Sequence, residues 1–311
     1  MKTWRIGTRG SPLALAQAQE VRRRLLAAHP DLAAPRRLEI AVITTTGDRD
    51  RSRPLSEIGG KGLFTKEIEE ALIDGRIDLA VHSMKDVPTW LPEGLEISTV
   101  LPREDARDAL FSSRADSLAA LPVGAVVGTV SLRRQAQILA ARPDLKVVPL
   151  RGNVDTRLRK LEEGQVDATL LAVAGLRRLG QAERITAAIA PEEMLPAVAQ
   201  GAIGLEVRSA DGEAKALLAP LNDADSALRV AAERACLEVL DGSCRTPIAA
   251  YAELTGDRLR LRGLVAAPDG SQVFRAEAES APAEAAGLGR ALGQELRIEA
   301  GEDFFKALEH L

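Results

Sequence analysis

The 311 residues are too many for one ordinary core, so two or three domains are expected. Apolar residues make up 46% and charged residues 28% with both signs mixed, which excludes a disordered chain, and no apolar run approaches the roughly 18 residues of a membrane helix. A net charge of −4 argues against a chain built mainly to hold nucleic acid, and two cysteines with no disulfide framework and no apolar leader point to a reducing cytoplasm.

Residues 4–8 read as a strand, and Ser11-Pro12 opens a helix, because proline in a first turn forfeits no needed N–H. Leu15, Ala18, Val21 and Leu25 share one face of that helix. Residues 38–44 read as the next strand, 65–74 as a helix ending near Gly75, and 78–82 as a strand. This βαβ rhythm implies parallel sheets with helices on both faces. It restarts after Pro102, with strands at 109–112 and 125–129 and a helix that Ser131 can cap and that stops before Pro143. A strand at 146–150 is weakened, or placed at an edge, by Pro149. Then come a helix over 154–163, capped by Asn153 and closed by Gly164, and a strand at 168–172. Residues 197–208 read as a strand with its approach, which can return to the first unit. After Pro220 the pattern changes to a helix over 224–240, strands at 248–254, 258–265 and 272–279, and a last helix over 283–298. The fold class is α/β: two α/β domains followed by a small α+β domain with an antiparallel sheet. The expected divisions are 1–100 with 197–219, then 101–196, then 220–311.

Positive charge is uneven. Between Leu121 and Gly180 ten Lys and Arg face five Asp and Glu, enough to hold a small polyanion. The arginines recur at strand-to-helix turns: Arg9 with Ser11 in TRGSPLAL, Arg133 and Arg134 with Ser131 in SLRRQAQ, Arg151 and Arg157 in LRGNVDTRL, and Arg103 in LPRED at the domain crossing. Helix N-termini favour anions and arginine adds two-pronged binding, so the set suits a cleft that grips several carboxylates. Arg159, Lys160, Arg177 and Arg178 read instead as solvated helix faces.

HSMKDVP, residues 82–88, follows a predicted parallel strand, where α/β sheets place ligands. Its Lys85 and Asp86 point opposite ways if the segment is extended. Asp86 can accept N–H bonds and pass protons; the competing reading is a solvated loop with a surface ion pair. GGKGLFTKE, residues 59–67, fails the phosphate-loop pattern and reads as a glycine-rich loop placing Lys61 over a cleft, or as a plain turn. Cys244, in DGSCRTPIAAYA beside Arg245, has the surroundings of an accessible thiolate, whereas Cys236 on an apolar helical face reads as a buried small hydrophobe. His29, His82 and His310 have no ligand spacing, so no metal site is expected, and His82 at a strand end reads as a satisfied structural histidine.

Taken in order, TRGSPLAL, GGKGLFTKE, AVHSMKDVP, LPRED, SLRRQAQ, LRGNVDTRL, LAVAGLRRLG and CRTPIAAYA resemble the porphobilinogen deaminase family, also called hydroxymethylbilane synthase, over nearly the whole chain. The resemblance implies two domains like type II periplasmic binding proteins with the active cleft between them, and a third domain carrying the cofactor cysteine. It implies a dipyrromethane cofactor on Cys244, a porphobilinogen substrate, four condensations with loss of ammonia, and hydrolysis to hydroxymethylbilane in tetrapyrrole (heme) biosynthesis. By the same match Asp86 is the catalytic acid. Lys85, Ser131, Arg133, Arg134, Arg151, Arg157 and Gln200 join Asp86 in holding the cofactor, and Arg9, Ser11, Lys61, Arg103, Arg151 and Arg157 hold substrate. A cytoplasmic monomer with no nucleic-acid or membrane partner is implied.

Three positions depart from the family pattern. Val130 stands where serine is common, and Ala199 and Ser243 replace glycines, which implies altered local backbone. Two other classes compete. A non-catalytic, two-lobed solute-binding protein for a polycarboxylate explains the arginines but not Cys244 or the third domain. Nucleic-acid binding lacks aromatic rings to stack on, at 3% of the chain.

Overall fold

The computed structural model describes residues 2–49, 62, 64–240 and 246–309. The expectations placed on Lys61, Ser243 and Cys244 lie outside the described residues. The chain begins with β1 (Trp4–Thr8), α1 (Pro12–Ala28), β2 (Leu38–Val42), α2 (Thr46–Arg49), α3 (Lys66–Ile73), β3 (Leu79–Ser83) and β4 (Leu95–Val100). After Glu104 it enters a second compact unit with β5 (Asp108–Ser112), β6 (Val126–Gly128), α4 (Leu132–Ala141), β7 (Lys146–Val148), α5 (Val154–Glu162), β8 (Ala168–Ala172), α6 (Val173–Arg178) and β9 (Ala187–Ala188). At Ala202 it returns to the first unit for β10 (Ile203–Arg208) and α7 (Gly212–Leu218). Within α8 (Ala224–Val239) it passes to the second unit again, which it completes with β11 (Ile248–Thr255), β12 (Arg258–Ala266), β13 (Val273–Ser280), α9 (Ala285–Ala300) and α10 (Glu302–Glu309).

The first unit is built on a five-stranded sheet of order β2-β1-β3-β10-β4. β1 runs parallel to β2 and β3, while β10 lies antiparallel between β3 and β4. α1 covers it through Ala18, Val21 and Leu25, which pack with Ile6, Leu79 and Leu205. Leu15, expected on that face, is only half-buried, and Ala14 and Gln17 are buried in its stead. Ser11 caps the helix as anticipated, its hydroxyl accepting from the Ala14 N–H at 3.3 Å.

The second unit repeats the plan. Its sheet runs β7-β6-β8-β5-β9, with β6 parallel to β7 and β8 and with β5 antiparallel to both β8 and β9. Both sheets are therefore mixed, not parallel. The reason is the same in each: the penultimate strand comes from a segment that crossed over from elsewhere in the chain, and side-chain periodicity carries no record of strand direction. β7 is an edge strand and ends before Pro149, as proline requires. The sequence reading also omits α2, β4, α6, β9, α7 and α10.

A three-stranded antiparallel sheet, β11-β12-β13, completes the second unit, with α9 packed on β12 and β13. Gly263 brings β12 so near α9 that a Cβ there would sit 2.8 Å from the Leu296 side chain. Gly289 does the same between helices, since a Cβ would run into the Ala232 carbonyl of α8. Two α/β sheets and a small α+β portion thus make up the fold.

Candidate functional site

In the first unit β3 ends at Ser83 and the chain turns through a 3₁₀ helix, Met84–Asp86. Met84 is buried and its N–H donates to the Ala202 carbonyl at 3.0 Å. Gln17 of α1, itself buried, donates to the Ser83 hydroxyl at 2.7 Å. These bonds fix the turn from both sides. The turn separates Lys85 from Asp86 in the way an extended segment would: Lys85 is exposed, and Asp86 is half-buried. Asp86 lines a pocket with Arg9, Ser11, Gln17, Phe64 and His82. The Arg9 guanidinium lies over the Phe64 ring, 4.1 Å from its centroid. The N-terminus of α1 and Arg9 make this pocket receptive to anions, while Asp86 presents an acceptor to N–H donors.

His82 is buried and its Nε2 lies 2.8 Å from the Glu206 carboxylate of β10, the structural role expected of it. Burial pushes the nearby Glu69 carboxyl up, and the Glu206 charge adds to the shift. The Arg103 N–H donates to the Ser226 hydroxyl at 2.8 Å.

In the second unit Ser131 caps α4 by accepting from the Arg134 N–H at 3.4 Å, and Asn153 caps α5 by accepting from the Thr156 N–H at 2.9 Å. Each cap is adjacent to the arginines singled out from sequence. Arg157 is half-buried and its Nε donates to the Gly152 carbonyl at 2.8 Å. Its pKa falls to about 10, because burial disfavours its charge and Arg134 and Arg151 oppose it. Arg134, Arg151 and Arg157 therefore form one cationic group, whose mutual repulsion a bound carboxylate would relieve.

Arg133 and Arg134 are buried, and both bind Asp108. Gln200 belongs to the same network, its Nε2 donating to the Ala106 carbonyl at 2.7 Å and to Asp108 at 2.9 Å. Burial opposes ionisation of Asp108, but the charges of Arg133 and Arg134 and the bonds from Arg134 and Gln200 outweigh it and hold the carboxyl below the usual carboxylate range. The folded value lies below the unfolded value of about 3.9, so this contribution to stability is complete above that pH and is lost as pH falls through the folded value. The stabilities of wild type and Asp108→Asn, different near neutrality, should therefore begin to converge as pH falls below about 4, as read from acid unfolding.

Asp108 is the residue that sequence reading missed. Its signal was an Asp opening the otherwise apolar strand DALFS. Arg178 was misplaced on a solvated face: it is half-buried and donates to the Gly201 carbonyl at 2.9 Å. Cys236 is buried as expected, and burial followed by the Glu233 charge pushes its thiol up to about 12.

Ala199 holds φ at +56°, the left-handed region that glycine favours. Its N–H donates to the buried Glu233 carboxylate at 2.6 Å, which secures the conformation. The departure from glycine here leaves the left-handed turn in place with a methyl group on it. Ala199→Gly should raise stability by up to about 1 kcal/mol, the left-handed penalty less glycine's extra chain entropy, as read from thermal melts.

Among the described residues no group of His, Cys, Asp and Glu could hold a metal ion, and no helix is long and apolar enough to cross a membrane.

The sequence profile described as "Porphobilinogen deaminase, dipyromethane cofactor binding domain" matches residues 4–216, and that of the "Porphobilinogen deaminase, C-terminal domain" matches residues 227–297. The chain belongs to the porphobilinogen deaminase family. It is 61% identical over 301 residues to the porphobilinogen deaminase of Paracoccus denitrificans (strain Pd 1222), covering 97% of this chain and 96% of that one. It is 57% identical over 309 residues to the chloroplastic enzyme of Oryza sativa subsp. japonica, covering 98% of this chain and 86% of that one. Among solved structures, a nutrient-binding protein from Burkholderia cenocepacia bound to methionine superposes with a TM-score of 0.42 at 14% identity, covering 70% of this chain and 90% of that one. The family makes this chain a transferase with a dipyrromethane cofactor, which condenses four porphobilinogen molecules with loss of ammonia and releases hydroxymethylbilane by hydrolysis.

Proposed function

We propose that Asp86 is the catalytic acid of that reaction. The observation that carries this is its place on a pinned turn, half-buried in a pocket beside Arg9 and Ser11. A carboxylate held there accepts pyrrole N–H groups, stabilises the cation left when ammonia departs from porphobilinogen, and moves the proton between the two. Arg9 and Ser11 hold the acetate and propionate groups of the incoming pyrrole, with Lys61 and Arg103. Lys85, exposed next to Asp86, serves the cofactor side.

The second-unit residues fit dipyrromethane, whose acetates and propionates need converging cations. Ser131, Arg133, Arg134, Arg151, Arg157 and Gln200 form that holding set, and the mutual opposition of Arg134, Arg151 and Arg157 is the physical reason an anionic group belongs there. The cofactor, when bound, supplies the pyrrole position to which each new unit is joined. Cys244 carries it by a thioether, for which its neighbouring Arg245 favours the thiolate. The reading includes a third domain over 220–311 and a cytoplasmic monomer. Supporting that compartment is cysteine usage: only two in the chain, one a buried thiol.

The direct test incubates the purified chain with porphobilinogen and follows ammonia release and formation of hydroxymethylbilane. Both are expected. Reversible binding of a polycarboxylate without ammonia release would favour the solute-binding reading.

A further inference from the structure

α4 begins in a way that local rules oppose. Its first turn holds Arg133 and Arg134 and no acidic residue, although a helix N-terminus carries partial positive charge and favours anions. Both side chains are also buried, 5% and 8% exposed. Two adjacent cations at the wrong end of a helix, away from water, need a specific counterpart.

Asp108 is that counterpart. It opens β5 with no exposed surface. Its Oδ2 accepts from Arg133 Nη2 at 2.7 Å, and its Oδ1 accepts from Arg134 Nη2 at 2.7 Å and Nε at 3.2 Å. Gln200 Nε2 donates to the same Oδ1 at 2.9 Å. The outer nitrogens run on to backbone: Arg133 Nη1 donates to the Leu195 carbonyl at 2.6 Å and Arg134 Nη1 to the Leu170 carbonyl at 2.8 Å. One carboxylate thus ties the start of a strand, the head of a helix and the turn before β10, and sets the plane of both guanidiniums.

We propose that Asp108 is a positioning residue for the anion site of this unit, orienting Arg133 and Arg134 at the head of α4 toward the carboxylates of the cofactor. It touches no ligand itself. By neutralising one of two buried cations it also lowers the charge cost of folding the arginine-rich region before an anion arrives, since Arg134 already opposes the charge of Arg157. Local preference is broken at α4 and repaired by a residue distant in sequence, a pattern expected where function sets the choice.

The inference rests on the cofactor-holding role proposed for the arginines, and the test separates the two. Wild type, Asp108→Asn and Asp108→Glu are made as full chains. Each is examined for far-UV circular dichroism, for the fraction bearing the two-pyrrole mass increment, and for KM and kcat per loaded molecule with porphobilinogen. Asp108→Asn should fold yet lose at least about tenfold in loaded fraction, or show a KM raised about tenfold with kcat per loaded molecule much less changed, since misplacement by an ångström away from the chemistry can cost about a hundredfold. Asp108→Glu, which restores the charge with its oxygens displaced by one methylene, should fall between Asp108→Asn and wild type. A folded Asp108→Asn with wild-type loading and KM overturns the proposal. If Asp108→Asn does not fold, Asp108→Glu decides: wild-type loading and KM there overturn it equally. A wild-type chain without the mass increment would sink the cofactor-holding role instead.

Discussion

Asp86→Asn should fold normally, carry a melting temperature close to wild type, and turn over porphobilinogen roughly a thousandfold more slowly. Asparagine keeps the size of the side chain and one acceptor oxygen, so the turn at Met84–Asp86, held by Gln17 on Ser83 and by the Ala202 carbonyl on Met84, has no cause to move. What disappears is the negative charge that offsets the cation formed as ammonia leaves, together with the group that can take and return a proton. Loss of proton transfer costs typically 10²–10⁴ in rate, and loss of a fixed charge facing a developing one costs a similar factor. Stopped-flow measurement of ammonia release during the first turnover is the decisive reading. A burst at the wild-type rate in a folded Asp86→Asn protein would remove Asp86 from the chemistry and leave it a structural acceptor.

The second large effect is all-or-none. The wild-type intact mass should exceed the mass calculated from sequence by two linked pyrrole units. Cys244→Ser should lack that excess, and Cys236→Ser should keep it. The contrast follows from the thiols' surroundings: Cys236 is buried in α8 with its thiol pushed up to about 12, so it is protonated and out of reach at neutral pH. Iodoacetamide should accordingly leave Cys236 unmodified in the native protein at pH 8 and label it on unfolding. An excess surviving in Cys244→Ser and lost in Cys236→Ser would reverse the assignment.

Local features were legible in the sequence to the residue or nearly so. Ser11, Ser131 and Asn153 announce their helices because a cap is a bond between near neighbours, and β8 stands out as a bounded apolar run. The loop bearing Asp86 was legible as a strand end, and Arg151 and Arg157 as cations at a helix head. What was not legible depends on partners far along the chain. Nothing within DALFS tells Asp108 that Arg133, Arg134 and Gln200 will enclose it, and nothing within IGLEVR tells β10 to run against β3 and β4. Arg178 was misread for the same reason, its acceptor being the carbonyl of Gly201.

The return of β10 to the first sheet sets the order in which the protein can be completed as it is made. Ile203 pairs with Ser83, more than a hundred residues earlier, and β4 has its ladder only through β10. A nascent chain that has emerged as far as β9 therefore carries β1 to β4 with one strand missing from the interior and two unsatisfied edges, the state most open to pairing with a neighbouring chain. Such long-range closure is slow compared with helix formation. The second sheet has all five of its strands between residues 108 and 188, so it can close while the first still waits. The sheet whose strands are first to leave the ribosome is thus completed only after the second sheet has all of its own.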